Sequence, residues 1–397
     1  MILVYGHFFF PFFRVFRSGF RSGFRSGFRC ALFLGVLFIG VWGGGQSVSA
    51  AGGDIFTVTD VEVDETASAA NLARGKALAE GQKRAFLILL DRLILSSDYD
   101  NLSTLEDDEI AEYVQGIEVK DEKTSSVRYL AKITYRFKPS QIRRFLRDSG
   151  IPFSETASKP VLVIPVYQLA GAQLLWDDPN PWRLAWAARD DEGFPVPLKV
   201  PLGDLTDVAA IGSLQAMAAD KSKLNAIAQR YGATDTLVTV ATLNMDPLQN
   251  RPALDVSVSR FGASSREYTH VFSFVGETGE TIDQLLFFAA NEVARQVEED
   301  WKRDNIVAFD RRPESLRVSI PFKDMRQWID IRNRLKAVPI VRETEILSLS
   351  RNGARVDLRY LGDSDQLRLA LAQNDLKLKK GDTTWELVSI RNVKEKP

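Results

Sequence analysis

Val161 to Val166 reads VLVIPV, a run with no polar side chain, inside the stretch KPVLVIPVYQ. A short, uninterrupted apolar run suits a strand buried on both faces. Such a strand needs a layer above it and a layer below it, which confines this part of the chain to α/β architecture. TDTLVTVATL, at 234–243, reads as the next buried strand. Between them, Asp204 is placed to cap a helix over 205–219, and KSKLNAIAQRYG reads as a second helix ended by glycine. ALDVSVSRF and REYTHVFSF then read as an antiparallel pair. Ile282, Leu285, Leu286, Ala289, Val293, Val297 and Trp301 fall on one face of a helix over 280–301. The expectation for 159–305 is a central α/β module with a mixed sheet and flanking helices.

Two further modules flank it. In residues 51–158, IFTVTDVEVDE reads as a strand, followed by a helix to about Leu95 with Thr66 or Ser68 as its cap. Ala69, Ala73, Ala77, Gly81, Ala85, Leu89 and Leu93 recur every fourth residue. A face that small at its start lets a helix lie close on a sheet. Val127, Tyr129, Ala131, Ile133, Tyr135 and Phe137 alternate with polar residues, the period of a half-buried strand. QIRRFLRD, at 141–148, makes a short basic helix. The expectation here is an α+β module. Residues 306–397 give the order strand, helix, strand, strand, helix, strand, with Asn352-Gly353 as the hairpin turn. That βαββαβ order predicts a ferredoxin-like module. The joint at 306–314 reads equally as a hinge or a packed connector.

Residues 1–50 are different in kind. They hold Arg14, Arg17, Arg21, Arg25 and Arg29, and no Lys, Asp or Glu. Phe-Arg-Ser-Gly repeats from Phe16 to Gly27, a low-complexity tract that a start codon placed too far upstream would also produce. An apolar run from Cys30 to Trp42 follows, too short for the ~20 residues that span a bilayer. Val48-Ser49-Ala50 supplies a small-x-Ala site. Basic, apolar and small-residue regions in that order describe a secretory signal, cleaved after Ala50 on the general secretory route. Retention as an anchor is the alternative. Cleavage predicts a periplasmic protein without stable membrane insertion. Five of the 51 basic residues and none of the 52 acidic ones lie in this leader, so the rest is net acidic, which argues against nucleic-acid binding. Cys30 is the one cysteine, so no disulfide joins the modules.

The motifs of catalysis are sparse. His270 is the one histidine beyond the leader, it lies in a strand pattern, and it reads as a structural residue. No P-loop, dinucleotide fingerprint, nucleophile elbow or zinc spacing occurs. Asp177-Asp178 and Asp190-Asp191-Glu192 read as solvated acidic loops rather than cation sites. No cofactor and no metal are expected. The stretch LLWDDPNPWRLAW, at 174–186, carries more. Pro181 suits a first helical turn, which puts Trp182 and Trp186 on one face. Trp176, Asp177, Trp182, Arg183 and Trp186 are therefore the candidate ligand- or partner-binding residues. The competing reading is that the indoles anchor a long loop on the core.

ARGKALAEGQKRAFLILLDRLI (73–94), YLAKITYRFKPSQIRRFLRDSGIPF (129–153) and KPVLVIPVYQ (159–168), with NPWRLAW (180–186) and VPLGDLTD (200–207), resemble an uncharacterised exported bacterial family, domain of unknown function 2066. The resemblance implies a Gram-negative envelope setting and no known activity. The expected role is a non-catalytic adaptor or structural protein that binds another envelope protein. A glycan- or small-ligand-binding module at 174–186 is second, and a carboxylate-dependent hydrolase third. The oligomeric state is left open.

Overall fold

The computed structural model describes residues 55–390, except 104, 190–193, 247–250, 263–266, 307–312 and 382–383. The leader, Cys30, the acidic run at 190–192 and most of the joint at 306–314 lie outside the described residues. The chain divides into two units, Met1–Val48 and Ser49–Pro397, and everything described falls in the second. The described residues are mixed α/β, with sheets of three, six and five strands.

The first sheet uses β1 (Thr57–Thr66), α1 (Ala70–Leu93), α2 (Asp107–Tyr113), β2 (Val114–Thr124), β3 (Arg128–Phe137) and α3 (Pro139–Asp148). Its order is β1-β3-β2, antiparallel throughout. The alternation read at 127–137 becomes β3, with Tyr129, Ala131, Ile133, Tyr135 and Phe137 buried. The small-residue stripe does bring α1 close. A Cβ on Gly81 would lie 2.6 Å from Tyr135 Oη and 2.8 Å from Val63 Cγ1, so only glycine fits. Tyr135 Oη donates to Leu78 O at 2.9 Å from the same contact. The expected cap is different: Thr66 is the last residue of β1, opposite Arg128, and α1 begins after Ala69 with no side-chain cap. Strand pairing has claimed the residue that local chemistry offered to the helix.

The second sheet holds the two strands expected to be buried as parallel neighbours. β4 (Val161–Leu169), β5 (Ala172–Leu174), α4 (Pro181–Ala187), β6 (Leu198–Lys199), α5 (Leu205–Ala210), α6 (Ser213–Met217), α7 (Lys221–Arg230), β7 (Asp235–Asp246), β8 (Arg251–Gly262), β9 (Tyr268–Val275) and α8 (Ile282–Asn305) supply it. The order is β5-β4-β7-β8-β9, with β6 on β4 beside β5. Val161, Val163 and Tyr167 of β4 pack with α4 and α8. Leu162, Ile164 and Val166 face the other way, onto α6 and α7. The double burial predicted for this strand is thus provided by helices on both sides. A buried ion pair joins the start of β7 to the end of β8, Arg260 Nη2 to Asp235 Oδ2 at 2.9 Å. The helix expected over 205–219 is two helices, broken at Ile211-Gly212.

The third sheet is formed by β10 (Glu314–Pro321), α9 (Met325–Lys336), β11 (Val341–Leu349), β12 (Gly353–Tyr360), α10 (Ser364–Gln373), β13 (Leu376–Lys380) and β14 (Trp385–Ser389). The βαββαβ order is present, with the hairpin closed at Ser350 N to Gly353 O. A fifth strand is added: β13 folds back into β14, which inserts beside β10 in parallel, giving β11-β12-β10-β14-β13.

The end of α8 ties these layers together. Lys302 Nζ lies 2.6 Å from Glu299 and donates to Asp91 O beside the end of α1 at 2.8 Å. Trp301 Nε1 donates to Thr156 O at 2.7 Å. Beyond the helix, Ile306 O accepts from Gln366 of α10 at 2.8 Å.

Candidate binding face on the central sheet

The tryptophan-rich segment is organised by Asn180. Its side chain is fully buried and donates to Pro165 O, Leu174 O and Leu175 O, while Oδ1 accepts from Arg183 N at 3.0 Å as the cap of α4. With Pro181 in the first turn, α4 starts where the sequence places it. Trp182 and Trp186 share a face, as expected, and that face points into the core. Their rings meet edge to face at 5.6 Å, and both are buried between β4, β7 and α8. Trp182 Nε1 donates to Thr239 Oγ1 of β7 at 3.0 Å. Neither indole offers a face to a ligand.

The other three candidates lie outside this core. Asp177 is exposed. Trp176 is half-buried, and its Nε1 donates to Ile211 O at 2.6 Å, holding the break between α5 and α6. Arg183 donates from Nη1 to Leu202 O at 2.9 Å. Gly203 passes beneath both at φ +78°, where a Cβ would sit 2.9 Å from Arg183 Nη1 and 3.5 Å from Trp176. The structure therefore brings Trp176 and Arg183 together as a clamp on the segment 202–211, and separates them from Trp182 and Trp186.

That segment is fixed from its other side by a polar cluster that the sequence reading did not single out. Asp207 is fully buried. Its Oδ2 accepts from Gly203 N at 2.9 Å and Tyr231 Oη at 2.6 Å, and Arg230 Nη1 lies 3.2 Å from Oδ1. A buried carboxylate requires such partners. Tyr231 Oη in turn accepts from Leu202 N at 2.9 Å, and burial and the bond to Asp207 raise its hydroxyl above the ordinary range. Arg230 also pairs with Asp204, the cap of α5, and holds that carboxyl below the usual range.

The result is a helix turned inside out. The one buried side chain of α5 is its carboxylate, Asp207. Leu205 is 88% exposed, Leu202 before it 74%, and Leu214 of α6 71%. Val208 of α5 and Met217 of α6 are exposed as well. The legible signal was GDLTD, in which an Asp-capped turn sets leucine and aspartate two positions apart, on different faces.

Elsewhere the polar groups serve one another. His270 Nε2 lies 2.8 Å from Asp300 Oδ2, and Gln296 and Arg303 donate to Asp300 Oδ1. A cleft of about 1230 Å³ runs between α7, β8 and α10. Lys159, Lys221 and Arg368 on its walls pair with Asp375, Glu267 and Asp365. Among the described residues, no group of three or more His, Cys, Asp or Glu is placed to hold a metal ion, and no helix is long and apolar enough to cross a membrane. Compared with protein-family models, curated proteins and solved structures, the chain finds no match.

Proposed function

We propose that this chain is an exported envelope protein that acts by binding another envelope protein, without a catalytic centre of its own. The carrying observation is the α5–α6 face. Burying Asp207 while Leu202, Leu205 and Leu214 face solvent is the reverse of what folding alone favours. The clamp and the Asp207 cluster hold that face in one conformation, which lowers the ordering cost of docking a partner. Export and membership of the domain-of-unknown-function 2066 family are part of the same proposal, resting on the leader pattern and the quoted stretches.

Ligand binding by the tryptophan segment has less support. Trp182 and Trp186 are in the core, the Trp176 indole is bonded to Ile211, and Nη1 of Arg183 is bonded to Leu202. The test is a photo-crosslinking residue at Leu205 or Leu214 in a tagged chain, with products read by mass spectrometry from the envelope fraction. One stoichiometric protein is expected, lost in Leu205→Asp while the melting temperature holds. Crosslinks no different from those of a probe on a distant exposed residue would overturn the reading.

A further inference from the structure

The outer strands of the three sheets are not treated alike. β1 carries Asp60, Glu62, Asp64 and Glu65 and a bulge between Val58 and Val61. β2 carries Glu118, Lys120, Asp121, Glu122 and Lys123 and is interrupted twice. β11 carries Arg342, Glu343 and Glu345 and is also interrupted twice. β13 is five residues with three lysines, and β5 and β6 span three and two residues. Charge, bulges and shortness are the usual means of stopping an edge from pairing with another chain.

β9 has none of them. It runs eight residues, YTHVFSFV, paired with β8 without a register shift and without Lys, Arg, Asp, Glu or Pro. Among the described residues, no strand pairs with its outer edge. Val271 on it is 72% exposed.

We infer that β9 is a dimerisation edge that pairs antiparallel with β9 of a second copy, joining two six-stranded sheets into one. The strand's own pattern selects that occupant. With the two-fold axis at Val271, the open face sets Val271 against Val271 and Thr269 against Ser273. The helix-covered face sets Tyr268 against Phe274 and His270 against Phe272. Hydroxyl meets hydroxyl, aromatic meets aromatic, and no two carboxylates or ammoniums oppose, which are the favourable cross-strand pairs. A twofold contact needs this self-complementarity. Phe288, exposed and 5.9 Å from Phe274 edge to face, extends the aromatic side of the contact. The inference is independent of the α5–α6 face.

The experiment is sedimentation equilibrium of the full chain across micromolar concentrations, with Val271→Lys and with Val271→Cys in a Cys30→Ser background. The wild type is expected to be a dimer. Val271→Lys sets two ammoniums against each other and should weaken dimerisation on the order of 100-fold or more, with an unchanged circular dichroism spectrum. Val271→Cys should oxidise to a covalent dimer, since directly opposed residues lie within disulfide reach. Slowed amide exchange in β9 on concentrating the wild type, absent in Val271→Lys, is expected alongside. A monomeric wild type, a dimer indifferent to Val271→Lys, or β9 protected only when a different protein is bound would each overturn the inference.

Discussion

Lys302→Met tests whether the end of α8 holds the first sheet against the second. The substitution keeps the stem and most of the volume and removes the ammonium. Lys302 and Glu299 side chains are 2% and 7% exposed and 2.6 Å apart, so solvent screens the pair little. Without Lys302, the Glu299 carboxylate is left buried with the long contacts from Ser96 N at 3.3 and 3.4 Å, and Asp91 O loses its donor. Removing one partner of a buried pair costs about 3–5 kcal/mol. At an m-value of ~3 kcal/mol/M that lowers the urea midpoint by ~1 M or more. Trp301, the next residue toward the helix start, bonds Thr156 across the same joint, so it contributes to the tryptophan fluorescence change that follows the transition. Glu299→Gln added to Lys302→Met removes the stranded charge and should recover about 1–2 kcal/mol. A single variant losing less than about 1 kcal/mol, or a double variant no more stable than the single one, would refute the reasoning.

Three further outcomes are expected. Gly81→Ala forces a Cβ to within 2.6 Å of Tyr135 Oη and should cost about 1–3 kcal/mol in thermal unfolding. Trp182→Phe loses the bond to Thr239 and opens a cavity in the core; about 2–4 kcal/mol should be lost, with partner capture intact at temperatures where the variant is folded. Burial pushes the Tyr268 hydroxyl up to about 12, and burial with Glu314 does the same to Tyr360. Both tyrosines must be neutral in the fold, so the stability this gives is intact below pH 10 and is lost as pH rises from 10 toward 12, at up to about 1.4 kcal/mol per pH unit per group. Urea midpoints at stepped alkaline pH check this, and Tyr268→Phe should flatten the slope.

Where burial follows a period, the sequence carried the fold. The alternation at 127–137 and the small-residue stripe of α1 became the elements their patterns implied, because each buries side chains at the period of its own backbone, and the run VLVIPV did so because helices cover both of its faces. β2 gave no such signal. VQGIEVKDEKT has no buried side chain in the structure, so no alternation marks it, and only its partner β3 makes it a strand. The break at Ile211-Gly212 was hidden for a related reason. It is held by the Trp176 indole, 35 residues upstream, and local helix propensity knows nothing of that bond. At the candidate site, the composition of 174–186 marked a segment with a special role but not its direction. Thr239, which receives the Trp182 indole, is 57 residues away. The exposed Leu205 of α5 and Leu214 of α6 escaped notice because apolar residues in a helix are read as core.

The joint at Lys302 also sets a timetable. Asp91, which receives its ammonium, precedes it by 211 residues. On the proposed export route the chain is threaded across the membrane from its N-terminus, so all of the first sheet is delivered before the end of α8. Until α8 arrives, the surface around Ser96 and Thr156 has nothing to cover it. That order of delivery calls for either a chaperone over that surface or a first sheet stable enough to wait alone.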